Sequence, residues 1–139
     1  MSNLEAAVKK LRENDLTCAI TNGEQFYSST ERGVKPLLGF ISSGLNFSGF
    51  SAADRVVGKA AAFLYVRLGV SEVYADVMSR SALCVFSEHG IRCTCGEVTE
   101  VILNRAKNGL CPMESTVMDL SDPVTAEQAM RAKLKEMYG

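Results

Sequence analysis

Residues 69–95 constrain the fold more than any other stretch of this chain. Gly69 is a left-handed stop, and Val70-Ser-Glu-Val-Tyr-Ala-Asp-Val-Met78 then carries the β-branched and aromatic residues of a strand. Ser79 caps a helix from Arg80 to about Glu88, Gly90 ends it, and Ile91 to Cys95 reads as a second strand. Two strands joined by one helix form a parallel crossover unit, because a parallel return needs a dozen or more residues between strands. The chain is therefore α/β.

The N-terminal half fits the same class. Leu4, Ala7, Val8 and Leu11 recur at helical spacing across residues 3–14. Thr17–Thr21 and Glu24–Ser28 flank Asn22-Gly23, a hairpin signal, and Pro36 opens a short helix through Ile41. Ser51 with Asp54 three residues on reads as a capping pair for a long helix from Ser51 to about Leu68. Residues 97–107, 111–119 and 122–137 read as three further helices. The expected architecture is a layered α/β/α domain whose mixed sheet joins an antiparallel hairpin to parallel strands.

At 139 residues, 47% hydrophobic and 22% charged, with no repeat or composition shift, the chain reads as a single domain over 1–139. A formal net charge of -1 gives no global attraction for nucleic acid or an anionic membrane. The N-terminus lacks an apolar signal core and no stretch reaches membrane-spanning length, so the expected location is the cytoplasm. Five unevenly spread cysteines argue for reduced thiols rather than a disulfide framework. Oligomeric state is left open.

The charged cluster at the mouth of the expected long helix is the main functional candidate. On one helix Arg55 and Lys59 would sit a turn apart, where like charges repel and cations oppose the positive helix end. Two accounts fit. Either Asp54, Arg55 and Lys59 form an internal ion-pair network against Glu31 or Glu114, or an anion such as a phosphate or carboxylate sits before the helix. Ser51, Ser79, Arg80 and Lys35 would line the same rim. Phe47 and Phe50, just before the site, either anchor the loop or stack on a ring.

Cys111-Pro-Met-Glu114 is the second candidate. Cys111 as N-cap and Pro112 at the first helical position make a sound helix start, where a thiol is easily activated, but no histidine partner is placed for it. Cys84, His89, Cys93 and Cys95 match no zinc spacing, and the cysteines read as buried small apolar side chains. No metal or other cofactor is expected.

The order of helix, hairpin, long helix, strand, helix, strand resembles the cytidine-deaminase-like fold. Residue by residue, Glu31–Leu38, Ser51–Ala62 and Asn108–Glu114 are similar to a family of small, uncharacterised bacterial and archaeal proteins thought to share that fold. Zinc deaminases place a His or Cys, then a catalytic Glu, at the start of the long helix, and Pro-Cys-x-x-Cys at the next. Here those positions read Ala52-Ala-Asp-Arg55 and Ser79-Arg-Ser-Ala82, so the resemblance implies a deaminase-like fold without the zinc ligand set. The expected function is binding of a nucleotide or another small anionic metabolite. The alternative is an enzyme using Cys111 as nucleophile or the Asp54/Lys59 pair for acid–base chemistry.

Overall fold

The computed structural model describes residues 1–104 and 106–138. Helix α1 (Asn3–Glu13) opens with a capping box in which Ser2 and Glu5 satisfy each other's backbone N–H groups. A hairpin of β1 (Cys18–Thr21) and β2 (Phe26–Ser29) follows, then α2 (Lys35–Ser42), β3 (Ser51–Val57), α3 (Lys59–Leu68), β4 (Glu72–Ser79), α4 (Arg80–Glu88) and β5 (Arg92–Thr99). The chain closes with α5 (Pro112–Val117) and α6 (Pro123–Tyr138). The sheet order is β2-β1-β3-β4-β5, antiparallel on both sides of β1 and parallel from β3 to β5. The expected mixed sheet and helix–strand alternation are present.

Two expectations fail, each for a tertiary reason. Residues 51–57 are the central strand of the sheet rather than the first turns of a helix. Ala52 and Ala53 point to opposite faces and are both fully buried, so the segment shows none of the polar alternation that marks a half-exposed strand. Ser51, far from capping a helix, bonds through Oγ to a carboxylate oxygen of Glu72 at 3.0 Å. The helix begins at Lys59, with Gly58 as its N-cap residue.

Residues 97–107 are not a helix either. Glu97, Val98 and Thr99 extend β5 in register with Val77, Met78 and Ser79, where β-branched side chains suit a strand. Beyond them Leu103 bridges Leu110, and the Asn104 N–H bonds the Gly109 carbonyl 2.9 Å away. Residue 105, within the expected helix, lies outside the described residues.

Helix α1 covers one sheet face, packing Ala7 and Leu11 on Ala19 and Ala53. The other face carries the main core. There α3 buries Ala60, Ala62, Phe63, Leu64, Tyr65 and Leu68, because α2, α4, α5 and α6 surround it. Phe47 and Phe50 are buried in an aromatic cluster with Tyr27 and Phe40, which settles them as loop anchors.

Candidate functional site

A cleft of about 1120 Å³ opens where the C-terminal end of β3 meets the start of β1, beside the beginning of α3. Its wall is completed by the 30–37 connection, by residues 102–104 and 107, and by residues 111–114. Here the sheet changes from antiparallel to parallel neighbours, the kind of crevice in which open α/β sheets place their ligands.

Asp54 sits at the floor. Pairing between β1 and β3 sets it opposite Cys18, and its Oδ2 accepts a hydrogen bond from the Tyr65 phenol at 2.6 Å. Its Oδ1 accepts the Arg55 backbone N–H at 2.7 Å. The residue is half-buried and lines the cleft. Burial raises its pKa to about 7, against the pull of the hydrogen bonds from Tyr65, Arg55 and Val56; Asp76 pushes the same way as burial. Burial and the nearby Asp54 push the Cys18 thiol up to about 12. Tyr65 is raised well above the usual phenol value by burial first, then by the charges of Asp54 and Cys18. At neutral pH the thiol and phenol therefore keep their protons, and only Asp54 is poised to gain or lose one.

Arg55, the next residue along β3, turns to the opposite sheet face. Its Nε donates to the Leu16 carbonyl at 3.0 Å and one terminal nitrogen to the Leu11 carbonyl at 3.1 Å. The other pairs with Asp76 at 3.3 Å. It thus holds the C-terminal end of α1, where a cation is favoured. It borders the cleft but is committed to these partners.

The positive start of α3 is met by a protein carboxylate. Glu114 accepts the Lys59 N–H at 2.9 Å through one oxygen and the Ala60 N–H at 2.7 Å through the other. Gly58 makes this possible, since a Cβ there would run into the Glu114 carboxylate. Lys59 Nζ donates to the Met118 carbonyl at 2.8 Å and stands over the Phe63 ring. Glu114 thus meets this helix start through backbone N–H groups, and among the described residues no ion pair joins Asp54, Arg55 or Lys59 to Glu31 or Glu114.

Of the residues singled out from the sequence, Glu31, Asp54, Arg55, Cys111 and Glu114 border the cleft. Ser51 lies at the opposite end of β3, and Lys59 points to a smaller hollow beside Glu100 and Met118. Ser79 is buried as the α4 cap, accepting the Ala82 N–H at 3.1 Å, and Arg80 pairs on the surface with Glu100. An Asp54/Lys59 acid–base pair is therefore not assembled. Cys111 does begin α5, without a side-chain capping bond. Lys35 stands over the Tyr138 ring.

Cys18 and Tyr65 escaped sequence reading. Only strand register brings Cys18 to Asp54, though a tyrosine within the apolar run Ala60–Val66 did signal a buried hydroxyl in need of a partner. The exposed Arg32 and Lys107 at the cleft rim carried no local signal. Among the described residues no group of three or more His, Cys, Asp and Glu side chains is placed to hold a metal ion. No described helix is long and apolar enough to cross a membrane.

Residues 6–134 match the family model of a domain of unknown function, DUF1893. The fold is similar to the crystal structure of a DUF1893 family protein from Thermotoga maritima, with 27% identity and a TM-score of 0.88. That likeness covers 96% of this chain and 91% of the other. No curated protein matches the sequence.

Proposed function

We propose, for a chain that belongs to the DUF1893 family, that the cleft over Asp54 binds a small metabolite bearing an anionic group, a nucleotide being one such molecule. The observation that carries this reading is the cleft itself. It is large enough for a nucleotide-sized ligand, stands at the sheet's change of direction, and mixes apolar walls such as Leu37 and Met113 with a few polar groups. Arg32 and Lys107 supply cations at the rim, among acidic neighbours Asp15 and Glu31. The ligand's anionic group would meet these rim cations, since Glu114 already occupies the start of α3.

The deaminase-like resemblance is retained as part of this proposal, as a fold used for binding without the zinc ligand set. The sheet order and the helix layers support it. A second reading, proton-transfer chemistry at Asp54, draws on a cleft-facing carboxyl with a pKa near neutrality.

Mass spectrometry of the native, untagged protein, repeated after denaturation, tests the binding reading. The expected result is a released small molecule whose retention falls when Arg32 and Lys107 are both replaced by Ala. Absence of any released molecule, together with no heat of binding across nucleotides and sugar phosphates, would remove the proposal. Turnover of the retained molecule that disappears in Asp54→Asn would favour the enzyme reading.

A further inference from the structure

We infer that Asp54 is the recognition group of the cleft floor and that it takes a cationic or N–H-donating group, such as an amine, an amidine or the amino edge of a heterocycle. The inference rests on the cleft being a ligand site and specifies what its deep end selects. An ionised carboxylate offers about four acceptor positions, and Tyr65 and the backbone behind Asp54 occupy only part of them. Among the described residues Asp54 forms no ion pair, because Arg55 turns away to Asp76 and to the carbonyls that end α1. A desolvated carboxylate lacking a cation is costly, and a ligand cation or donor edge arriving from the cleft offsets that cost.

The other groups at the floor agree with this polarity. Cys18 and Tyr65 keep their protons at neutral pH, and the Tyr65 hydrogen already points at Asp54, so neither provides positive charge for an anion there. An anionic end belongs at the rim with Arg32 and Lys107, and a donor end belongs at Asp54. The ligand is thus dipolar, held with its negative group outward.

Three probes of one shape and different charge test this: benzamidine, benzamide and benzoate, each titrated into 15N-labelled full-length protein at pH 8. The backbone amides of Cys18, Arg55 and Val56 provide the readout. Benzamidine is expected to move them at the lowest concentration, benzamide less and benzoate least. Asp54→Asn is expected to weaken benzamidine at least tenfold while leaving benzamide within a few-fold. If Asp54→Asn does not fold, the order of the three probes on the wild type still decides. Benzoate binding at these amides ahead of benzamidine would overturn the inference and leave the cleft a ligand site. Silence of these amides to all three probes would overturn both.

Discussion

Tyr65 on α3 donates its phenolic hydrogen to Asp54 on β3 across 2.6 Å, tying the first buried turns of the helix to the central strand beneath them. The contact moves the two groups in opposite senses: the phenol's hydrogen bond favours the ionised Asp54, and the Asp54 charge holds the proton on Tyr65. Burial lifts the carboxyl to about 7 and the phenol well above its ordinary value, so near neutral pH the phenol keeps its proton while the carboxyl titrates.

A dependence of stability on pH follows. Between the ordinary Asp value of 3.8 and about 7, the folded protein keeps a proton that the unfolded chain has released, so stability falls as pH rises through that window. The groups facing Asp54 are Cys18 and Tyr65, with Asp76 on the neighbouring strand. Asp76 works with the opposite sign. Burial pulls it up, but hydrogen bonds from Tyr74, Arg55 and Arg12 hold it below 3.8, so its contribution is lost only as pH falls below that value. Asp54→Asn should be less stable than wild type at pH 4.5 and gain on it by pH 8, by on the order of a few kcal/mol. Chemical denaturation at several pH values measures this, and a constant difference would sink it.

The Gly58–Glu114 contact predicts non-additive mutations. Gly58 has φ of -98°, which any residue adopts, so the cost of Gly58→Ala lies in the new Cβ displacing the Glu114 carboxylate. Overpacking of this kind costs about 1–3 kcal/mol. Glu114→Ala leaves two helix-start N–H groups uncapped, at about 0.5–2 kcal/mol. Once Glu114 is gone, adding Gly58→Ala should cost almost nothing. A double-mutant cycle in urea checks the coupling, and simple addition of the two losses would refute the assignment.

Arg55 should behave as a structural residue. Arg55→Ala removes charged hydrogen bonds to Leu11, Leu16 and Asp76, each of a class worth about 1.5–3 kcal/mol, reduced here because the side chain is 34% exposed. Arg55→Lys should recover only part of the loss, since one ammonium cannot reproduce a fork with three partners. Hydrogen exchange in α1 should quicken in both variants. Unchanged α1 protection in Arg55→Ala would place the stabilisation elsewhere.

How much of this was legible in the sequence depended on where each determinant lay. Gly69, Ser79 and Gly90 act on their own neighbours, so the crossover from β4 to β5 could be read directly. The Asn22-Gly23 hairpin was legible for the same reason. Ser51–Val57 misled because Ala-Ala-Asp-Arg favours helix locally, while burial between β1 and β4 imposes a strand. That error carried into the site, since it put Arg55 and Lys59 on one helix when one belongs to the strand facing α1 and the other starts α3. The carboxylate that meets the start of α3 is Glu114, more than fifty residues away in sequence, and only the fold brings the two together.

The five cysteines should differ sharply in reactivity. Cys84 is exposed on α4, Cys111 is half-buried at the cleft wall, and Cys18 is buried with its thiol pushed to about 12. Because the thiolate is the reacting species, iodoacetamide at pH 7.5 should modify Cys84 first and Cys18 last, with Cys18 labelled only on unfolding. Cys111→Ser should leave α5 intact, since its thiol makes no capping bond and Ser is the better cap. The same variant should hold the native ligand within a few-fold if Cys111 is only a wall of the cleft. Mass mapping of the alkylated peptides reads the order. Faster labelling of Cys111 than of Cys84, joined to loss of turnover in Cys111→Ser, would instead make Cys111 a nucleophile and move the chemistry from the cleft floor to its wall.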